Sequence, residues 1–225
     1  MVRNDIEEVV HELQRTVEIQ AKKIQRLEDI HEIQNLMTKY EAFHTAGKHD
    51  EVVKMFALKT PGVRVDIPHF GFYEGPEGVK RSWIAHKYVE RDRRGQLHVH
   101  AISAPFIEVS GDGKTAKGIW TSPGILTMPI GDKFTANWSW CKYGIDFVKE
   151  DGVWKFWHFR SFGLFSTPFN KSWVEEGPEP ALPLPDELKP DRRPSPYYTY
   201  KTTVPAPYEP VLPEPFETFD EVEAY

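Results

Sequence analysis

Between Leu97 and Phe165 the chain alternates side-chain character and turns on Asp-Gly pairs in a way that only long, consecutive antiparallel strands satisfy. The runs are Leu97 to Val109, a Gly111-Asp-Gly113 turn, Thr115 to Thr121, Asn137 to Val148, an Asp151-Gly152 turn, and Trp154 to Arg160. Aromatic and β-branched residues fill them, as a pleated, half-buried surface requires. Strand side chains alternate between faces, so His98 and His100 share one face, Trp138 and Trp140 share one, and Trp154, Phe156, His158 and Arg160 share one. A few polar groups in a wall of aromatics is the usual lining of a small-molecule pocket.

The rest of the chain is arranged about that sheet. Ile6, Val10, Leu13, Val17, Ile24 and Leu27 recur at alternating spacings of four and three, with Gln20 breaking the seam. This predicts an amphipathic helix over residues 5–28 whose narrow stripe must be covered by a neighbouring subunit or by the domain. Asp29-Ile-His-Glu32 reads as a capping box that restarts the helix, with Ile33, Leu36, Met37, Tyr40 and Phe43 on its core side until Gly47. A short helix follows over residues 49–58, then a strand Val63 to Ile67, a glycine-bounded hairpin arm Pro68 to Gly75, and a helix from Pro76 carrying Val79, Trp83, Ile84 and Tyr88. Helices and short strands before a long antiparallel sheet make an α+β pattern. After Phe165 the composition changes: most of the 19 prolines lie in residues 168–225, together with Trp173, Tyr197, Tyr198, Tyr200, Tyr208, Phe216, Phe219 and Tyr225. Proline at this density excludes regular helix, and aromatics at this density argue against a disordered linker, so the tail is an extended arm packed on the domain or on a neighbour. Three segments result: residues 1–28, 29–167 and 168–225.

Composition removes several functions. A net charge of −6 and a pI near 5.9 lack the basic footprint of a nucleic-acid binder. The mixed run Arg91-Asp-Arg-Arg94 reads as a solvated loop. A lone cysteine, Cys141, excludes an internal disulfide framework and reads as a buried apolar residue. No apolar run spans a bilayer and the N-terminus is polar and acidic, which predicts no membrane association and a cytoplasmic location. Gly-rich phosphate loops, nucleophile elbows, dinucleotide fingerprints and His-Glu-x-x-His are missing, so an enzyme here is expected to work without a bound cofactor, by proton transfer.

Candidate chemistry gathers on few residues. His98 and His100 read three ways: one of them a general base, both structural histidines, or parts of a metal site with His158. The cupin metal pattern needs a Glu three or four residues on, whereas Glu108 comes eight after His100, so no metal is expected. Tyr40 and His44, four apart, stack on one helical face, with Tyr40 either a hydrogen-bond donor to substrate or a core tyrosine. Arg160 beside His158 holds an anion or sits at the rim, and Asp66 and His69 flank the hairpin arm with surface positions expected. Trp120, Trp138 and Trp140, with Asn137, are the expected binding wall.

With these elements in place, the chain resembles the SnoaL-like branch of the nuclear-transport-factor-2-like superfamily. The resemblance runs from about Asp29 to Phe165. Its motifs are the helix Ile33-Gln-Asn-Leu-Met-Thr-Lys-Tyr40, Phe72-Tyr-Glu-Gly75 before a helix, His100…Pro105-Phe-Ile-Glu-Val109…Gly118-Ile-Trp120, and Asp151-Gly-Val-Trp154-Lys-Phe156. The family implies a cone of curved sheet closed by helices, often assembled as trimers, and includes cofactor-free lyases such as diarylpropane deformylases and bile-acid and scytalone dehydratases. The dehydratases use a Tyr, an Asp and a His; Tyr40 matches the first and His98 or His100 the third, while Phe43-His-Thr-Ala-Gly47 supplies His44 in place of the Asp. The resemblance thus implies a cofactor-independent lyase in a homotrimer, taking formaldehyde or water from a hydroxylated aromatic molecule such as a lignin-derived diol. Tyr40, His44, His100 and Arg160 are the expected catalytic groups; His98, Asn137, Trp120, Trp138, Trp140 and His158 are the expected binding groups. A non-catalytic binding or assembly protein with the same pocket is the alternative.

Overall fold

The computed structural model describes residues 2–90, 93–130, 133–175 and 182–225. Arg91 and Asp92 of the mixed-charge loop lie outside the described residues. Helix α1 (Val2–Thr45) is followed by α2 (His49–Val53), β1 (Arg64–Ile67), β2 (Gly71–Glu74) and α3 (Gly75–Val89). The rest of the sheet is β3 (Leu97–His100), β4 (Phe106–Val109), β5 (Thr115–Ile130), β6 (Lys133–Glu150) and β7 (Val153–Pro168).

Helix α1 does not restart at Asp29, and the expected break between residues 28 and 29 falls inside it. It runs unbroken for 44 residues, about 66 Å at 1.5 Å per residue. Asp29 is buried and its carboxylate is used across the fold rather than as a cap: Trp154 Nε1 donates to it at 3.0 Å and Lys149 Nζ lies 2.6 Å away. From there Ile33, Met37 and Tyr40 are buried, with Leu36 and Phe43 packed beside them. The N-terminal half, by contrast, leaves its apolar stripe in solvent.

Strands β5, β6 and β7 form the body of the sheet, whose order is β2-β1-β7-β6-β5-β3, with β4 also paired to β5. All pairs are antiparallel except β1 with β7. The expected Leu97–Val109 strand divides into β3 and β4, because residues 101–105 leave the ladder. Asp151 and Gly152 both take positive φ, 53° and 78°, as a two-residue hairpin turn that matches strand twist demands. Register shifts at Trp140/Cys141 and Asp146/Phe147 bend β6 against β7 and curve the sheet. The concave side is filled by Phe56, Trp83, Trp120, Phe147, Phe156 and Phe159. Val79 and Trp83 are buried on the core side of α3 as expected, with His86 beside them, whereas Ile84 and Tyr88 are exposed.

The Pro-rich arm packs on its own domain. Phe72 and Arg192 exchange backbone hydrogen bonds, Tyr73 donates its hydroxyl to Leu188 O at 3.0 Å, Tyr200 N donates to Leu164 O at 2.8 Å, and Tyr225 N donates to Asp146 at 3.0 Å. It borrows backbone partners from strand edges, which suits a segment too proline-rich for a ladder of its own. Among the described residues no helix is long and apolar enough to cross a membrane.

Candidate active site

A cavity of about 160 Å³ opens between α1, α3, the β2 hairpin arm and the concave faces of β6 and β7. Alternation along β6 turns Asn137, Ser139, Cys141 and Tyr143 toward it. The expected Trp138 and Trp140 therefore point the other way, Trp138 exposed and stacked on Phe169, Trp140 against Phe165. Trp120 is on the inner side but packs on Phe147 in the core beneath the cavity. Leu182, Tyr197 and Thr199 show that the arm supplies part of the wall.

Two more expected site residues leave the cavity altogether. His158 is fully buried on the opposite face of the sheet, its Nδ1 2.8 Å from Asp146 Oδ2, while Lys117 Nζ donates to the other Asp146 oxygen at 3.0 Å. Phe219 and Tyr225 of the arm cover this group. Arg160 is on that face too: it donates to Pro196 O at 2.6 Å, lies 3.7 Å from Asp66 and sits over Phe162. Trp154 and Phe156, expected on the same face as His158 and Arg160, stay in the concave core, because the register shift at Trp157 turns the strand over between Phe156 and His158. Asp66 is buried rather than at the surface, accepting from Ser195 N at 3.2 Å, and burial raises its pKa. His69, also expected outside, lines the cavity.

What the cavity does contain is imidazole. Of the nine histidines, His44, His69, His86, His98 and His100 line it, and His49 packs behind His44. His44 lies flat over Tyr40, with ring centroids 5.5 Å apart and planes 7° apart, and 5.4 Å from the ring of His100. His98 Nε2 faces His100 Nε2 at 2.9 Å, and His98 Nδ1 is 3.1 Å from Glu90 Oε1. Glu90 is buried and also meets His49 Nε2, at 3.1 Å, and Arg93. Donation of His98 Nδ1–H to this carboxylate leaves the lone pair on Nε2. Burial is the first cause of depressed basicity throughout: His98 and His49 fall to about 4, His86 and His100 to about 3, and His44 well below the ordinary histidine value, with neighbouring imidazoles adding to the effect on His44. These rings are neutral near pH 7.

Next to them stands a hydroxyl pair. Tyr40 and Tyr143 hydrogen-bond to one another, Tyr143 also to Cys141, and burial raises both phenols well beyond their ordinary value, so they remain donors. His86 completes the wall. Its Nδ1 donates to Ser82 O at 2.8 Å, one turn back on α3, which fixes the tautomer with the lone pair on Nε2. Its ring lies parallel to Phe70, centroids 3.7 Å apart. Tyr40, His44, His98, His100 and Asn137 are thus brought together, while His86, Glu90 and His49 join them unforeseen. For His86 a signal existed: it lies seven residues after Val79 and three after Trp83, on the buried stripe of α3.

Comparison with known proteins agrees with this architecture. No curated protein matches the chain. A presumed scytalone dehydratase from Novosphingobium aromaticivorans is 16% identical, with a TM-score of 0.54 over 66% of this chain and 92% of that one. The structure of LinA gives 16% identity and a TM-score of 0.54, over 70% and 99%. The hexachlorocyclohexane dehydrochlorinase LinA-type3 from Novosphingobium barchaimii gives 18% and 0.52, over 66% and 94%. At such identities the likeness shows the fold alone. The model of the SnoaL-like domain matches residues 25–160, more than half the chain, and the protein belongs to that family.

Proposed function

We propose that the protein is a lyase that removes formaldehyde or water from a hydroxylated aromatic small molecule. The observation that carries this reading is the juxtaposition, in one aromatic-walled cavity, of a tautomer-fixed neutral imidazole, His86, with the buried hydroxyl pair Tyr40–Tyr143. His100, the base expected from sequence, has Nε2 against His98 and Nδ1 buried without a partner, so His86 takes that role. Burial makes it a weak base, which strengthens as negative charge develops on a substrate beside it. In water loss, His86 takes a proton from carbon, the electron pair forms the new double bond, and Tyr40 protonates the departing hydroxyl. In formaldehyde loss, His86 takes the proton of a primary hydroxyl, the adjacent C–C bond breaks, and its electrons expel a benzylic hydroxyl protonated by Tyr40.

The flat walls of Phe70 and Phe159 favour an aromatic ligand, and the absence of a charged residue other than Glu90 among the lining residues disfavours phosphorylated or carboxylated ones. A phenolic diol of the diarylpropane type meets both conditions. Mass spectrometry of reactions with such a diol, a steroid alcohol and a sugar alcohol tests the reading: turnover of the first is expected, with His86→Asn and Tyr40→Phe each lowering kcat about 100-fold or more. Stoichiometric binding of the diol without turnover would make the protein a binding module instead.

We propose further that residues 6–27 pair with a second copy of the chain. Ile6, Val10, Leu13, Val17, Ile24 and Leu27 are each about half exposed or more, and they occupy the a and d positions of three heptads. β-Branched residues at a (Val10, Val17, Ile24), with Leu13 and Leu27 at d, favour two parallel strands, in place of the three expected from the resemblance. In the parallel register Lys23 faces Glu28 of the second copy; antiparallel pairing centred between Val17 and Glu18 would set Glu7 against Glu28.

A further inference from the structure

The closed end of the cavity has a property that the lyase reading does not use. One nitrogen from each of His44, His98 and His100 lies within 4.8 Å of the other two. We infer that these three imidazoles bind a divalent metal ion of the zinc class, with a fourth position open toward the cavity. This goes beyond the lyase reading and does not depend on it.

Four observations support the site. The first is ligand chemistry: imidazole nitrogen without thiolate suits zinc, cobalt or nickel, and three protein ligands with an open position is the arrangement of catalytic rather than structural zinc. Cys141 is on the far side of the Tyr40–Tyr143 pair and is not among the ligands. The second is the approach of His98 Nε2 to His100 Nε2, 2.9 Å. Two nitrogens on a tetrahedral zinc at about 2.0–2.1 Å stand about 3.3 Å apart, so a small rotation of either ring seats the ion. The third is Glu90, whose carboxylate 3.1 Å from His98 Nδ1 orients that ring as the carboxylate–histidine pairs of metal sites do. The fourth is unmet hydrogen-bonding capacity. His44 is 5% exposed and its Nδ1 has no hydrogen-bond partner, and Nδ1 of His49 and of His100 are also buried without one. Ring nitrogens buried without a partner carry a desolvation cost, which a cation bound through their lone pairs removes.

Helix α1 and strand β3 approach here from opposite sides, which explains why sequence spacing alone missed the set. The pair His98-x-His100 was visible, but the third member comes from a residue more than fifty positions earlier rather than from His158. An ion at this place polarises a substrate oxygen entering from the cavity.

The test uses the full chain, stripped with chelator and titrated with zinc or cobalt(II) alone. One equivalent per chain is expected to survive dialysis, and the cobalt form is expected to show visible d–d bands of a nitrogen-ligated, four- or five-coordinate ion. His44→Ala and His98→Ala should each weaken binding more than 100-fold, Glu90→Gln by about 10- to 100-fold, and His31→Ala, on the exposed face of α1, should leave it unchanged. Less than 0.2 equivalent retained with no cobalt bands overturns the proposal, as does binding that persists undiminished in His98→Ala. Should the histidine variants fail to fold, the wild-type cobalt spectrum and stoichiometry decide alone. Turnover of the diol by metal-free protein would leave the lyase reading standing while these measurements judge the metal.

Discussion

Asp29 accepts a hydrogen bond from the indole N–H of Trp154, 125 positions away, at 3.0 Å, and so pins the middle of α1 to the start of β7. Lys149 reaches the same carboxylate oxygen and lies over the Trp154 ring, 4.9 Å from its centroid. Removing the carboxylate leaves a buried indole N–H and a partly buried ammonium without their acceptor. Asp29→Ala is expected to cost about 2–4 kcal/mol and Asp29→Asn about half of that, since the amide oxygen still accepts from the indole. Chemical denaturation measures both; an Asp29→Ala chain as stable as wild type would show that this tie is not a structural one.

The same residue marks where the sequence was legible and where it was not. Asp-x-x-Glu before an apolar run has the letters of a capping box, and local pattern cannot distinguish a carboxylate that caps its own helix from one that serves a strand far along the chain. Alternation along β6 was readable, because period two is a local property, whereas the bulge at Trp157 breaks it in β7 and leaves no local pattern. Which of the two faces looked inward was not readable, because that depends on the side to which α1 and α3 fold. Hence Trp138 and Trp140 were grouped correctly and placed on the wrong side, while Cys141 and Tyr143, one step out of phase, are the residues in the cavity; His158 and Arg160 were grouped with Trp154 and Phe156, from which the irregularity at Trp157 separates them.

The exposed seam of α1 predicts the state of assembly. A pair joined through residues 6–27 should sediment at about twice the 26.1 kDa of the chain, and replacing Val17 and Ile24 with Lys should return it to one copy without disturbing the domain, whose own packing on α1 begins near Asp29. A wild-type chain that stays monomeric at tens of micromolar overturns the pairing; three copies would keep the seam and correct the strand count.

Cys141 predicts a chemical behaviour. Burial raises its thiol above the ordinary cysteine value, against the neighbouring Ser161 and Tyr143 hydroxyls that act the other way. At pH 8.5 an ordinary cysteine is about half thiolate, whereas Cys141 stays protonated and should react with a maleimide at least tenfold more slowly in the native chain than in denaturant. The sign follows from the acid: raising its pKa lowers the thiolate fraction at any given pH. Equal native and denatured rates at pH 8.5 would show a thiol open to solvent and a cavity wall less closed than described.

Gly124 tests how finely the imidazoles are positioned. It is the cross-strand partner of His100 in the β3–β5 ladder, so a side chain there would rise on the same face as the ring. A Cβ at this position would stand 2.8 Å from His100 Nδ1 and 3.2 Å from its Cε1, inside contact distance. The glycine lets the imidazole lie across the neighbouring strand, and the ring's place is therefore set by a missing side chain as much as by its contact with His98. Gly124→Ala is expected to push the His100 ring outward by several tenths of an ångström and to lower zinc affinity about tenfold. The fold should be little affected, since β5 is paired along its length and alanine is tolerated in strands at a cost of about 1 kcal/mol or less. Metal titration beside thermal unfolding separates the two effects. Unchanged affinity with unchanged stability would mean that the ring yields freely and that His100 is not held for a ligand; a large loss of stability would mean that the neighbour which gives way is the strand and not the histidine.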